Sequence, residues 1–415
     1  MNNKILFSVV FTVFIDMLGF GILIPVIPQL LANPFSSFYL LPHNISLGYG
    51  YILLGFLTAI FPFMQFLATP ILGELSDRFG RKPVLALSLL GTSLSYVFFA
   101  IGVMTKNLPL LFISRAFDGI TGGNISVAQA AIADVTTPEN RAKNFGLMGA
   151  AFGMGFILGP FIGGKLSDPS LVSWFDATTP FWFAAILALC NALWVMYLLP
   201  ETLKKKSANV SLQLTRSIKN IIRVFSLKQV RPLFATSFLF QAGFTFFTTF
   251  FSVFLITKFG FDQGAIGNYF AYVGLWIAFS QAVITRMVSQ RFNEWSILRI
   301  SLLATGICML LFFVPKVWWG LLFITPIFAM FTGLSQANLT SVVSRSAGSQ
   351  IQGEILGINA SVQALAQTIP PVISGLVAAQ VTAWTPLMVA GITIIFSGFV
   401  FILFSGKIQK NIVVS

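Results

Sequence analysis

Three ionisable side chains interrupt long apolar stretches of this 415-residue chain, and their chemistry suggests proton transfer. Asp16, Arg115 and Asp118 lie within such stretches, whereas the other acidic and basic residues lie at or beyond their ends. An ionisable group is costly in an apolar environment, so each should face a cavity or a partner of opposite charge. Arg115 and Asp118 are three residues apart, which places them on one face of a helix.

These three residues, termed here the charged core, are candidates for proton coupling. Burial favours the neutral form of a carboxyl group, whereas a nearby guanidinium favours the charged form. A movement that joins or separates Asp16 and Arg115 would therefore release or bind a proton. We expect Asp16 to carry the proton and Arg115 to modulate it, while Asp118 either takes part or only neutralises Arg115. The alternative is a static ion pair between helices.

A second cluster of charges occupies residues 73–82, which read Gly-Glu-Leu-Ser-Asp-Arg-Phe-Gly-Arg-Lys. Its glycines permit a tight turn, and Asp77 is expected at a helix N-terminus, where the helix dipole favours an anion. Arg81 can bind a carboxylate on a neighbouring helix end, for which Asp134 is the candidate. Such contacts can hold one conformation and release it, although a basic loop that only sets topology is the alternative. The residues assigned to this gating motif are Gly73, Asp77, Arg78, Gly80, Arg81, Lys82 and Asp134.

The composition identifies the elements that position these residues as membrane-spanning helices. Hydrophobic residues make up 56% of the chain and charged residues 9%, with a mean hydropathy of +0.87, whereas soluble domains carry about 25% charged residues. So few ionic groups cannot cover a water-facing surface, and 46 Phe exclude a disordered chain. Twelve stretches are long enough to cross a bilayer as helices and lack the alternation of barrel strands. They are residues 5–31, 49–75, 83–104, 109–134, 142–166, 180–199, 232–257, 264–286, 295–315, 317–341, 353–380 and 383–406.

Basic residues set the orientation of these spans. With the N-terminus in the cytoplasm, 20 of the 25 Lys and Arg residues fall on cytoplasmic segments and four fall outside, as the positive-inside rule requires. Both termini are therefore predicted to be cytoplasmic. This distribution also explains the net charge of +13 as a surface that faces anionic lipid, so we expect membrane lipid and no nucleic acid as a partner.

The longest polar segment, residues 200–231, divides the chain near its middle. It predicts an N-terminal six-helix half (1–199), a cytoplasmic linker (200–231) and a C-terminal six-helix half (232–415). Apolar residues from Leu214 to Phe225 recur at helical spacing, which predicts an interfacial helix on the inner leaflet. A solvated linker is the alternative. Transporters with two such repeats bind substrate near the membrane midplane between the halves.

Span five carries small residues at regular spacing. Glycines let a helix pack closely on a neighbour, and a proline loosens the backbone for a bend. The alternative is a generic glycine-rich membrane helix. The residues of this glycine motif are Gly146, Gly155, Gly159, Pro160, Gly163 and Gly164.

The gating motif and the glycine motif resemble two signatures of the major facilitator superfamily. The first matches the loop between spans two and three, and the second matches the signature of the superfamily's proton-coupled antiporters. The chain is similar to bacterial tetracycline/proton antiporters and their twelve-span multidrug relatives, through Asp-Met-Leu-Gly-Phe-Gly from Asp16 and Ile-Ala-Asp-Val-Thr from Ile132. The resemblance implies an all-α fold of 12 transmembrane helices in the bacterial cytoplasmic membrane. It also implies that Arg115 is the arginine that modulates the proton site.

The second half carries neutral amides instead of charges at mid-membrane. Gln241, Asn338 and Gln363 are candidates for a substrate cavity, since amides can either bind a substrate or join helices. With the many phenylalanines of span seven, such a cavity suits an amphipathic drug-like compound. A transporter of a native metabolite or siderophore, even an importer, is one alternative, and a receptor or channel is another.

Metal and covalent chemistry find no support in the residue types. Cys190 and Cys308 lie in separate apolar runs, and His43 is the only histidine. We therefore expect no metal site, no cofactor and no catalytic residues, and a transporter of small molecules and protons instead of an enzyme.

Overall fold

Long α-helices make up most of the chain, because a helix satisfies its own backbone hydrogen bonds in an apolar medium. The computed structural model describes residues 2–137, 141–203, 216–227, 230–346 and 352–414, and no β-strand occurs among them. The helices are α1 (Asn2–Leu31), α2 (Leu47–Phe79), α3 (Arg81–Met104), α4 (Leu108–Thr121), α5 (Ile125–Val135), α6 (Arg141–Leu166), α7 (Thr179–Leu198), α8 (Arg216–Ser226), α9 (Arg231–Phe259), α10 (Gln263–Phe279), α11 (Thr285–Ser289), α12 (Glu294–Leu311), α13 (Leu321–Arg345), α14 (Gln352–Gln380) and α15 (Thr385–Val414).

Eleven helices of the described residues are long and apolar enough to cross a membrane, and each coincides with a predicted span. The fourth predicted span, 109–134, is instead two shorter helices, α4 and α5, joined by a 3₁₀ turn at Gly122–Asn124. The tighter turn frees the carbonyl of Gly122, which accepts a hydrogen bond from Gln65 Nε2 at 2.8 Å. A Cβ on Gly123 would lie 3.0 Å from the backbone nitrogen of Thr69, so the small residue permits close approach of α2.

The first of two compact units comprises residues 1–45, 60–216 and 261–274. In it α1 packs along α6 and α7, and α3 packs along α4 and α7. The core of this unit is aliphatic, with Val9, Val13, Leu89, Ala128 and Ile132 almost fully buried.

The second unit comprises residues 46–59, 217–260 and 275–415. Here α9 packs on α14 and α15, and α12 packs on α13 and α15. Its core is aromatic: the ring of Phe247 lies 4.4 Å from that of Phe251 and 5.0 Å from that of Phe328, centroid to centroid. Two buried hydroxyls, Ser301 and Ser335, are hydrogen-bonded at 2.9 Å between α12 and α13.

Large apolar side chains cover the outer faces of the helices. A soluble protein rarely exposes so many, and lipid contact explains them. They include Leu87, Ile113, Ile186, Leu275, Phe323 and Leu403.

The predicted linker contains a helix, α8, with three distinct faces. Ser217 is buried, and Asn220 donates a hydrogen bond to Ser361 Oγ on α14 at 3.1 Å. Ile218 and Ile222 lie on a second face with 45% and 63% of their surface exposed, and Lys219 points outward on a third. Leu214, where the predicted periodicity begins, lies outside the described residues.

Candidate functional site

Arg115 and Asp118 form a buried ion pair on α4. Asn107 starts this helix by accepting a hydrogen bond from the Leu110 N–H, which fixes the register of the helix. One turn of spacing then brings Arg115 Nη1 to 2.5 Å from Asp118 Oδ2, and each side chain is 5% exposed. The Arg115 guanidinium also lies 4.5 Å from the centroid of the Phe61 ring on α2, a cation–π contact.

Asp16, near the middle of α1, faces the same cavity as Asp118. The cavity has a volume of about 10 Å³, which is room for about one water molecule and far too little for a drug-sized compound. Its wall is formed by Asp16, Met17, Phe20, Phe61, Gln65, Thr92, Tyr96, Asp118 and Gly122.

The structure thus brings the charged core together through Asp118. Asp118 both pairs with the Arg115 guanidinium and lines the cavity, whereas Arg115 is not among the lining residues. Asn124 interacts with Asp16 from the 3₁₀ turn. One buried donor in this region, Arg115 Nε, has no hydrogen-bond partner among the described residues.

Two polar residues of α3 complete the cavity, and the sequence analysis missed both. A Cβ on Gly19 of α1 would lie 2.7 Å from Tyr96 Oη, so this glycine lets the phenol approach. Thr92, one turn earlier, is hydrogen-bonded to Thr121 at 2.9 Å. Their four-residue spacing on an apolar helix was the available signal.

Arg81, the first residue of α3, organises the gating motif. Its Nη1 lies 2.6 Å from Asp77 Oδ1 and 2.6 Å from Ser76 Oγ, while its Nε lies 3.1 Å from Asp134 Oδ2. The Arg81 side chain is only 9% exposed. The guanidinium therefore joins the last turn of α2 to the end of α5.

The expectation that Asp77 lies at a helix N-terminus was wrong. Helix α2 continues through Phe79, so Asp77 lies in its last turn, and Glu201 occupies the N-terminus of α3 instead. Glu201 accepts hydrogen bonds from the backbone N–H groups of Arg81 at 2.9 Å and Lys82 at 3.3 Å. The dipole of α3 favours a carboxylate at this position, as expected. The carboxylate is that of Glu201, which belongs to the segment after α7.

The other members of the gating motif have different surroundings. Gly80 adopts φ +115°, which side chains rarely tolerate, and the Glu201 carboxylate fills the position that its Cβ would take. Arg78 lies 5.3 Å from the ring of Phe79. A Cβ built on Gly73 would have Ser126 Oγ as its nearest neighbour, at 3.7 Å, which is an ordinary van der Waals distance.

The glycine motif joins α6 to two neighbours. A Cβ on Gly155 would lie 2.6 Å from Met17 Cβ, and one on Gly159 would lie 2.6 Å from the carbonyl of Leu18. Gly163 makes a similar approach to Ile22. Pro160 contacts Gly21 of α1, and Gly164 packs against Gly267 of α10, whereas no atom of the described residues lies within 4 Å of a Cβ built on Gly146.

The three substrate-cavity candidates lie on three helices of the second unit. Gln241 on α9 and Gln363 on α14 are partly buried. Asn338 on α13 is 3% exposed, and its amide donates to the carbonyl of Leu334 in its own helix at 2.8 Å.

Known proteins resemble the chain over nearly its whole length. The class H tetracycline resistance protein of Pasteurella multocida is 32% identical over 378 residues, which cover 90% of this chain and 88% of that protein. Multidrug resistance protein 1 of Bacillus subtilis is 32% identical over 370 residues, which cover 88% and 87%. Among solved structures, a bacterial homolog of the human lysosomal transporter Spinster, inward-facing and unoccupied, has a TM-score of 0.77 at 13% identity, with 99% and 98% of the chains covered. At that identity the likeness shows the fold alone.

Membrane-spanning helices around a buried charged core define a multi-pass membrane transporter. The chain belongs to the Major Facilitator Superfamily, whose pattern matches residues 9–371.

Proposed function

We propose that the protein exports amphipathic drug-like compounds in exchange for protons, by alternating access. The relatives named for tetracycline and multidrug resistance support the substrate class. The observation that carries the proton coupling is the cavity that Asp16 and Asp118 share beside Arg115. Two carboxylates and one guanidinium among apolar helices can exchange a proton without leaving a large uncompensated charge.

In this proposal Asp16 takes up and releases the coupled proton. Arg115 modulates its affinity, because a guanidinium close to a carboxylate favours the charged form. The halves 1–199 and 232–415 move as separate bodies during the cycle, and the glycine motif provides the close packing of α6 on α1. Gln241, Asn338 and Gln363 contribute neutral hydrogen bonds to the drug.

The gating motif would act as the latch of one conformation. Arg81 is buried against Asp134 and Asp77, and this contact must break for the end of α5 to move away from α3. The positive-inside distribution supports a cytoplasmic location for this latch and for both termini, in a bacterial cytoplasmic membrane.

Helix α8 would lie on the inner leaflet, with Ile218 and Ile222 in the lipid. Their exposure on one face, beside Lys219, supports this placement. A fluorescent label on Ile222→Cys in a cysteine-free background should be quenched by brominated lipid chains. A label quenched only by water-soluble agents would contradict the placement.

Everted membrane vesicles test the function directly. Respiration acidifies their interior, and a dye reports the internal pH. Addition of tetracycline, ethidium or norfloxacin should raise the internal pH through proton release when the protein is present.

The test variant is Asp16→Asn, in a membrane span, and the matched control is Asp176→Asn, the same substitution in a loop. The first should abolish the response at unchanged protein level, and the second should retain it. Undiminished proton release with Asp16→Asn would refute the coupling role of Asp16. If none of the three compounds causes proton release, the protein does not export drugs of this range. Transport of a native metabolite would then replace drug export as the proposed function.

A further inference from the structure

We infer that Asp118 is a positioning residue that holds Arg115 away from Asp16 while Asp16 carries the proton, and that Arg115 exchanges Asp118 for Asp16 when the proton leaves. The inference rests on the proposed function, because it assumes that Asp16 is the coupled carboxyl group. It adds a role for Asp118 that a neutralising partner would not have. The guanidinium becomes a counter-ion that two carboxylates use in turn.

The geometry leaves Arg115 able to bind a second carboxylate. A guanidinium has five N–H donors, and only Nη1 is engaged with Asp118, at 2.5 Å. Nε is buried and has no partner among the described residues. An unpaired buried donor is costly. A conformation in which Nε donates a hydrogen bond is therefore favoured by that contact.

Asp118 has contacts that connect it with both other charges. Its carboxylate contacts Arg115 and also lines the cavity that Asp16 faces. The Phe61 ring lies under the guanidinium and also belongs to the cavity wall. A guanidinium that moves from Asp118 towards Asp16 can therefore keep an aromatic face beside it, which limits the cost of leaving its first partner.

Charge balance sets the direction of the exchange. With Asp16 protonated, Arg115 and Asp118 neutralise each other. When the proton leaves, two carboxylates share one guanidinium in a cavity that water scarcely enters, and Asp16 then attracts Arg115. The other polar groups of the described residues that line this cavity or lie beside Asp16 are Thr92 and Tyr96 from α3, Gln65 from α2 and Asn124 from the 3₁₀ turn. None of them supplies a second positive charge.

The pH dependence of Asp16 protonation tests the exchange without any substrate. Dicyclohexylcarbodiimide reacts with protonated carboxyl groups in apolar sites, and mass spectrometry of the peptide that contains Asp16 separates it from Asp118. In the full-length protein in detergent, we expect Asp118→Asn to lower the pH midpoint of Asp16 labelling by about one unit or more, a tenfold loss of proton affinity. Without Asp118, Arg115 stays with Asp16. Asp118→Glu retains the anchor and should keep the wild-type midpoint.

A double-mutant cycle separates the exchange from simple electrostatics. If Arg115 never moves, removal of the Asp118 charge lowers the midpoint by the same amount with Arg115 or with Arg115→Gln, provided that the two are compared at pH values where the Asp118 peptide stays unlabelled and Asp118 is therefore charged. If Arg115 exchanges partners, the shift is at least twofold larger when Arg115 is present. Equal shifts in the two backgrounds, or a Glu variant that shifts as far as the Asn variant, would overturn the inference.

The proposed function has its own separate outcome. Proton release from vesicles that persists in Asp16→Asn would refute the coupling role of Asp16, whatever the labelling cycle shows. Loss of proton release in Asp16→Asn together with additive labelling shifts would leave antiport standing and remove only the exchange.

Discussion

The starts of helices α3 and α12 show two solutions to the same structural problem. Each helix begins with a charged residue that pairs with the end of the following span: Arg81 with Asp134 in the first unit, and Glu294 with Arg345 in the second. The signs are reversed. The burial differs more, because the Arg81 side chain is 9% exposed and that of Arg345 is 75% exposed.

The two helix N-termini are also capped differently. Asn293 caps α12 with its own side chain, which accepts a hydrogen bond from Ser296 N–H at 2.8 Å, and its φ of −76° is ordinary. Gly80 has φ +115° and no capping side chain, so α3 depends on Glu201. The cap of α12 is local, whereas the cap of α3 comes from a distant segment. Only the α3 cap is lost when such a segment moves.

The largest difference between the two sites should appear when each arginine is removed. Arg81→Gln leaves the Asp134 side chain, which is 23% exposed, without its ion-pair partner and with only the hydrogen bond from Thr202 Oγ1 at 3.2 Å. It should cost about 3 kcal/mol of the free energy of unfolding, near the lower end for buried pairs. Unfolding in mixed detergent micelles measures it. Arg81→Lys, the control, retains the charge but loses the fork geometry and should recover part of this stability. A loss below about 0.5 kcal/mol for Arg81→Gln would contradict the importance of burial.

The caps provide the second test. Gly80→Ala places a Cβ where Glu201 lies and forces an L residue to φ +115°, so a cost of about 2 kcal/mol is expected. Asn293→Ala removes only a local cap, with an expected loss of about 1 kcal/mol. The same unfolding measurement compares them. An Ala at position 80 that is as stable as the wild type would show that the glycine is not needed for its backbone conformation.

The contrast also explains which features the sequence could predict. Hydropathy located eleven spans that coincide with long apolar helices of the described residues, and the position of Asp134 at the end of predicted span four made it a candidate partner for Arg81. The sequence did not point to Glu201, because its contact with α3 joins residues 120 positions apart and depends on how α7 ends. The break at Gly122–Asn124 was also missed, because composition cannot show that the side chain of Gln65 donates a hydrogen bond to the Gly122 carbonyl in place of a helical N–H.

Removal of the Glu201 charge should lower the stability by an intermediate amount. Glu201→Gln keeps an acceptor oxygen but removes the charge that complements the α3 dipole, so we expect a loss of about 1 kcal/mol. Glu201→Asp retains the charge on a shorter side chain and serves as the control. If Gln and the wild type are equally stable at low ionic strength, the hydrogen bonds alone hold this turn and the dipole contributes little.

Arg345→Gln should have the smallest effect of the series. The ion pair with Glu294 spans 3.4 Å and is largely open to solvent on the arginine side, and such pairs contribute about 0–1 kcal/mol. Glu294 also retains the hydrogen bond from Ser341 Oγ at 2.8 Å, so it is not left unpaired. We expect a change below about 0.5 kcal/mol in unfolding that disappears at high salt, and little change in proton release from vesicles. If Arg345→Gln impaired stability and proton release as much as Arg81→Gln, the Glu294–Arg345 pair would be a second latch. Burial would then not decide which of the two pairs acts as a gate.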